Sequence, residues 1–292
     1  MLRLRELAGA AAVGIVAMAA VANLPILAHV RVTYRPDFAE RDIRLASTQA
    51  NAALRVVMDG TLPQSPALPP APAPIPDPAV VQQSDAADRL REKVPNALYP
   101  YFDVYLYVSK AAAGSLAQHM YVFHRDASGA LVFEQSFPVS TGRELHERYF
   151  TDTPDGLFEL DPDRFETMHY SHTWHGAAMP WAMFLNATIH GRQTGVALHS
   201  SGEAHAALLG RRASGGCVRL PPQKAHELFE RFRAEERGMV PIFAFDARHR
   251  RTSGDGVLLR DGMGRPILTP GFRVLVFIED YPGGPALVAV VA

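Results

Sequence analysis

The sequence predicts a mainly β body of the α+β class, carried behind an export segment and a proline-rich spacer. Three observations predict it. From Tyr101 onward, short runs of alternating apolar and polar residues follow one another, separated by turn residues. Within that body one segment, Pro221 to Arg237, has apolar residues at helical spacing: Ala225, Leu228, Phe229 and Phe232. Ahead of it, Pro63 to Pro78 is so rich in proline that it favours extended polyproline geometry and builds no core.

At 292 residues the chain can bury at least one substantial core, with room for two domains. A formal net charge of −1 offers no basic field for nucleic acid. Arg3 and Arg5 make a short positive start, Leu7 to Ala22 is nearly continuous in apolar residues, and Ala20-Val21-Ala22 fits a small-x-small cleavage site. The apolar run is short of the roughly 20 residues a spanning helix needs, but Asn23 to Ala28 would extend it. Residues 1–28 are therefore expected to be a signal peptide or a membrane anchor, which places the rest in the periplasm or cell envelope.

Residues 29–98 form an N-terminal region. Within it Phe38 to Met58 has helical character, residues 63–78 are the linker, and Asp85 to Val94 is a short helix before Pro95. The body, 99–247, opens with a strand over Phe102 to Val108. His119 to His124 and Leu131 to Phe137 then flank the turn Asp126-Ala127-Ser128-Gly129, which predicts a β-hairpin. Thr153-Pro154-Asp155-Gly156 is turn chemistry before a strand over Leu157 to Leu160. Further strands are expected over Ala182 to Ala187 and Gly195 to His199. Pro221-Pro222 suits the start of the one clear helix, and Val240 to Phe245 follows as a strand. The remainder, 248–292, is expected to be a small β extension with strands over Val257 to Leu259, Phe272 to Ile278 and Ala286 to Val291.

Cys217 is the only cysteine, in the small-residue turn Ser214-Gly215-Gly216-Cys217-Val218-Arg219-Leu220. It can form no internal disulfide and no all-cysteine zinc site. It is either an inert buried hydrophobe or a nucleophile. The preceding glycines favour the nucleophile, because they leave room for a substrate and their N–H groups can converge on an oxyanion. His199 stands eighteen residues upstream, at the end of Gly195-Val196-Ala197-Leu198-His199-Ser200-Ser201. In an oxidising compartment a single cysteine avoids wrong disulfides.

Four segments, in order, resemble the L,D-transpeptidase catalytic domain (the YkuD-like family). Phe137-Pro138-Val139-Ser140-Thr141-Gly142 resembles a strand end of that family, Thr153-Pro154-Asp155-Gly156 its following turn, and Gly238-Met239-Val240-Pro241-Ile242 its last strand. His199 and Ser214-Gly215-Gly216-Cys217 resemble its histidine and nucleophile motif in spacing. The resemblance covers roughly residues 100–247 and implies a β-sandwich-like domain. Gly215 departs from it, standing where the family usually has histidine, and Arg219 stands where some members have asparagine.

What the resemblance implies is a Cys–His pair. Cys217 would be the nucleophile, activated by His199, whose ring is oriented by the backbone carbonyl of Ser200. The N–H groups of Gly215, Gly216 and Cys217 would make the oxyanion hole, with Ser214, Arg219 and Trp181 beside the substrate. The implied substrates are peptidoglycan stem peptides: acylation at the third residue expels D-alanine, and an amine acceptor completes a 3→3 cross-link. An L,D-carboxypeptidase or hydrolase on the same substrate and a non-catalytic wall-binding module are the alternatives. No cofactor is implied, and the sequence sets no oligomeric state. His169, His172 and His175 have no familiar zinc spacing, so no metal is expected. Trp174, Met179, Pro180 and Trp181 are candidates for a substrate groove or for plain core packing. His205 and Glu203 lie in the loop between the catalytic pair.

Overall fold

The structure is a computed structural model that describes residues 77–145 and 151–284, all within one compact unit. The expected export segment (1–28), the helix expected over Phe38 to Met58, nearly all of the linker and the strand expected over Ala286 to Val291 lie outside the described residues.

Helix α1 (Pro78–Lys93) is longer than its apolar pattern suggested, because its start is set by capping. The Asp77 carboxylate accepts the Ala79 N–H at 2.8 Å, Pro78 occupies the first turn, and Arg91 and Lys93 sit in the last turn, where the helix dipole favours cations. It buries Ala86, Ala87 and Leu90.

The strands of the body are β1 (Val104–Ser109), β2 (His119–Arg125), β3 (Leu131–Pro138), β4 (Gly156–Ser171), β5 (Ala177–Asn186), β6 (Thr188–Ile189), β7 (Arg192–Gln193), β8 (Ala197–Ser200) and β9 (Val218–Leu220). Helix α2 (Pro222–Glu235) follows, then β10 (Arg237–Pro241), β11 (Phe245–Asp246), β12 (Arg251–Thr252), β13 (Leu268–Phe272) and β14 (Val274–Glu279). Eight of these strands form one mixed sheet in the order β3-β2-β1-β14-β4-β5-β8-β9, with β1–β14 and β8–β9 parallel.

Alternating residues divide the sheet into two apolar faces. Val104, Leu106, Met120, Val122, Met183, Leu198, Val218 and Val276 pack with Leu228, Phe229 and Phe232 of α2. Tyr105, Tyr107, Tyr121, Phe123, Leu275 and Phe277 pack on the other side with Ala86 and Leu90 of α1. Burial of the three large α2 side chains stabilises the first face by roughly 2 kcal/mol each. Phe165 joins that core, its ring stacked on Phe229 at 4.6 Å and Phe272 at 4.3 Å.

Two features position the site. The chain leaving β3 pairs with the start of β9: Ser140 N–H donates to Arg219 O at 3.0 Å, and Arg219 N–H returns to Ser140 O at 2.9 Å. The two ends of the strand order are thus joined, and the sheet closes around the α2 core. Trp181 has a φ of +56°, and the alternation along β5 resets there. Met179, Ala182 and Phe184 face one way, while Trp181, Met183 and Leu185 face α2.

Several boundaries move. The segment read as a C-terminal extension supplies β14, which lies in the middle of the sheet between β1 and β4, so the boundary at 247 falls inside one continuous sheet. The strands expected at 157–160 and 182–187 are the inner halves of a long β4–β5 hairpin. Its outer half is only partly buried and follows no regular alternation of apolar and polar residues. The single strand expected over Val240 to Phe245 divides into β10 and β11, and Arg273 separates β13 from β14.

Candidate active site

The site is built where β8 and β9 run parallel, with Leu198 opposite Val218, His199 opposite Arg219 and Ser200 opposite Leu220. Leu198, Val218 and Leu220 point into the α2 core. Alternation then sends Ala197, His199, Cys217 and Arg219 to the opposite face, where Cys217 packs against Met179, Ala182, Phe184 and Ala197. The expected pair therefore shares one face of two adjacent strands. Strand geometry sets their Cα atoms roughly 8 Å apart.

The turn that carries the thiol is knitted from within. The buried Ser214 hydroxyl accepts the Gly216 N–H at 3.1 Å and donates to Cys217 O at 2.5 Å. Thr153 ties the turn to the body: its buried hydroxyl donates to Gly216 O and accepts the Gly142 N–H, both at 2.8 Å. Gly216 has a φ of +119°, and a Cβ there would lie 3.1 Å from Asp152 O, so the turn requires glycine. The N–H groups of Gly215 and Cys217 make no hydrogen bond among the described residues.

His199 is 6 % exposed, and its Nδ1 lies 2.8 Å from Ser200 O. A carbonyl only accepts, so Nδ1 carries the proton and a neutral ring leaves Nε2 as the acceptor. Burial pushes the imidazole pKa down to about 4, against the Ser200 bond and with the help of the Arg219 charge. Cys217 is half-buried. Burial pushes its thiol up, opposed by the Ala197 N–H and by the charge of Arg219. The resting pair is accordingly neutral thiol beside neutral imidazole. The sulfur's hydrogen-bond partner is Gly195 O at 3.7 Å, and not the His199 ring.

Cys217 and Gly215 line a cleft of about 910 Å³, together with Trp174, Met179, Thr194 and Gly195. The lining also includes the charged residues Lys110, Asp155, Arg192 and Arg251. Lys110 is buried and donates to Thr153 O at 2.8 Å while pairing with Glu144 at 2.8 Å and Asp155 at 3.2 Å. His199, Ser200 and Arg219 do not line the cleft. Arg219 is half-buried and donates to Ala213 O at 3.3 Å. Ser214 is sealed inside the turn. Trp181 lies on the helix side, stacked on His226 at 4.2 Å and packed on Phe229.

The histidine run divides between two elements. His169 ends up on β4 with its Nδ1 3.0 Å from Glu166 Oε2 and its ring edge-on to Phe184 at 4.9 Å, while His172 and His175 occupy the hairpin turn. Among the described residues no group of three His, Cys, Asp or Glu side chains is arranged to hold a metal. Glu203 and His205 sit on an exposed 3₁₀ turn, Glu203–Leu208, away from the cleft lining. Sequence reasoning took Thr153 only as a turn residue and did not single out Lys110. No local pattern marks a lysine that will be buried between two carboxylates.

A sequence profile of the L,D-transpeptidase catalytic domain (YkuD) matches residues 104–258, just over half of the chain. The chain belongs to this family. Its members modify peptidoglycan. Among solved structures, the chain is similar to the LD transpeptidase LdtMt1 in complex with imipenem, at 15% identity and a TM-score of 0.34, over 61% of this chain and 59% of that one. It is similar to an L,D-transpeptidase from Mycobacterium smegmatis, at 15% identity and a TM-score of 0.32, over 61% and 58%. It is also similar to the helical cell shape determining protein Pgp2 from Campylobacter jejuni, at 13% identity and a TM-score of 0.33, over 72% and 59%. The chain thus spans about three fifths of the length of these structures. No curated protein matches it.

Proposed function

We propose that this L,D-transpeptidase-family protein is a cysteine acyltransferase acting on peptidoglycan stem peptides outside the cytoplasm. The observation that carries the reading is the thiol of Cys217 on the wall of a large cleft, on the same sheet face as a buried imidazole whose Nε2 is left as a proton acceptor. The sulfur turns from Gly195 O toward His199 by rotation about its Cα–Cβ bond. Nε2 takes the thiol proton as sulfur attacks the carbonyl carbon of the third stem residue. The tetrahedral oxyanion is received by the N–H groups of Gly215 and Cys217. Gly216, whose N–H is committed to Ser214, does not take part. Collapse breaks the C–N bond, the imidazolium returns its proton to the departing amine of D-alanine, and a thioester remains. An acceptor amine then attacks the thioester, and the sulfur leaves as thiol, its proton passed through His199. Arg219 favours the thiolate by charge; since it does not line the cleft, we do not assign it to a substrate carboxylate.

A second reading, a wall-binding module, draws on the neutral thiol turned from the imidazole. One experiment separates the readings. Incubation with a stem tetrapeptide, followed by intact mass spectrometry, is expected to give an adduct on Cys217 with release of D-alanine. Cross-linked dimer identifies the transferase, and free tripeptide identifies a carboxypeptidase. Binding without adduct, unchanged by Cys217→Ala, refutes the acyl-enzyme. Acylation by a carbapenem is the quicker first probe of the same thiol. Residues 1–28 would direct export; among the described residues no helix is long and apolar enough to cross a membrane.

A further inference from the structure

Gly215 departs from the family's usual histidine, and the space such a side chain would take is filled by Trp174. A Cβ built on Gly215 would lie 2.6 Å from Cε2, 2.7 Å from Nε1 and 2.8 Å from Cζ2 of the indole. These are closer than a real Cβ tolerates, so the ring edge rests on the bare backbone of the nucleophile turn. Trp174 comes from the β4–β5 hairpin turn, 41 residues away along the chain. Its backbone is fixed by an N–H bond to Ser171 Oγ at 3.2 Å and by the Ala177 N–H donating to its carbonyl at 2.9 Å. The Arg143 guanidinium lies 5.6 Å from its ring centroid, and Arg143 N–H donates to Ser214 O at 3.1 Å, so the residue beside the ring is itself tied to the nucleophile turn. The hairpin turn, the Arg143 segment and the nucleophile turn converge at the indole, which abuts Gly215, itself the bearer of an oxyanion donor and two residues from Cys217.

We propose that Trp174 and Gly215 are a matched pair in which the indole forms the positioning wall of the acyl-donor site. This rests on the acyl-transfer reading above. The ring lines the cleft beside Cys217 and presents a flat apolar surface within van der Waals reach of whatever approaches the thiol. A donor peptide lying along that surface has its carbonyl held over the sulfur and its oxygen toward the Gly215 N–H. Any side chain at 215 would displace the ring, so glycine there is a requirement of the wall. Trp174 acts as a positioning and specificity residue: it moves no proton and bonds no reacting atom.

The test is a double-mutant cycle of Gly215→Ala and Trp174→Ala in the full chain, with Trp174→Phe as the conservative variant. Two readouts are used. The first is the rate of Cys217 alkylation by iodoacetamide, which needs no substrate. The second is the Kd for a stem tetrapeptide, measured in a Cys217→Ala background by calorimetry. Gly215→Ala is expected to speed alkylation severalfold in the presence of Trp174 and to have no effect once Trp174 is alanine. Trp174→Ala is expected to raise the tetrapeptide Kd about tenfold or more, and Trp174→Phe to restore most of the loss. Equal effects of Gly215→Ala in both backgrounds overturn the pair. An unchanged Kd in Trp174→Ala overturns the wall, even if the wild-type protein is acylated. Coupling and a raised Kd without acylation of the wild type leave the wall standing and refute the acyl-transfer reading instead.

Discussion

Glu159 offers a quantitative test of the fold that supports the cleft. It lies on β4 between Leu275 of β14 and Asn186 of β5, is 3 % exposed, and its Oε1 has no hydrogen-bond partner. Burial pushes its carboxyl up from 4.5 to about 8. Between those values the unfolded chain is ionised at this residue while the folded chain holds the proton, so folding takes up a proton and stability falls as pH rises. Above about 8 both states are ionised and the loss is complete; below 4.5 both are neutral and it vanishes. The span corresponds to about 5 kcal/mol across the window. Glu159→Gln keeps the shape and removes the charge. Relative to wild type it is expected to be near neutral at pH 5 and several kcal/mol more stable at pH 8.5. Urea denaturation of both proteins at pH 5, 6.5 and 8.5 measures the difference, from which the other titrating groups cancel. A difference that stays constant across the three values would refute the reasoning.

Four further predictions concern the site and the fold around it. With the thiol raised and the imidazole at about 4, iodoacetamide alkylation of Cys217 should climb about tenfold per pH unit from 5 to 8 without a plateau; a plateau in that range would mean a preformed thiolate–imidazolium pair. His199→Ala should preserve that slope while lowering acyl transfer by about 10²–10⁴-fold, measured as thioester formation under single-turnover conditions. Thr153→Val removes the donor to Gly216 O and the acceptor for Gly142 N–H, and should cost about 1–3 kcal/mol in denaturant titration. Arg89 forks onto Glu279 at 2.8 and 2.5 Å, both side chains being less than a fifth exposed; Arg89→Met should cost about 2 kcal/mol, seen as a Tm lowered by roughly 4–8 °C.

The sequence was most informative where one face of an element is buried and the other is wet. The helix α2 was found nearly to the residue for that reason, whereas the β2–β3 hairpin was found from the turn residues Asp126 to Gly129 between two apolar-rich runs, β2 itself being buried on both faces. The outer β4–β5 hairpin was missed because it is only partly buried and shows no regular alternation, and the split of the last strands was missed because Arg273 interrupts an otherwise apolar run. At the site, the Cys217–His199 pair and the Ser200 carbonyl as partner of the imidazole were implied by the family resemblance; the structure sets Nδ1 2.8 Å from Ser200 O, with the sulfur turned to Gly195 O. What could not be read was the division of labour inside the Ser-Gly-Gly-Cys turn. Whether Ser214 meets substrate or closes the turn depends on which N–H lies within 3.1 Å of its hydroxyl, a matter of backbone angles. Trp181 was unreadable for a similar reason. The left-handed angle at that residue turns its ring toward α2, and a strand that alternated regularly would have sent it to the other side.

The placement of β14 between β1 and β4 sets an order on assembly. Every other strand of the eight-stranded sheet is synthesised before the piece that joins its two halves. Until residues 274–279 arrive, β1 lacks its parallel neighbour and β4 one of its two antiparallel ones. Such a topology is dominated by pairings distant in sequence and forms slowly. The half of the sheet bearing Cys217 is thereby kept from joining the β1–β3 half through its centre until residues 274–279 have been made.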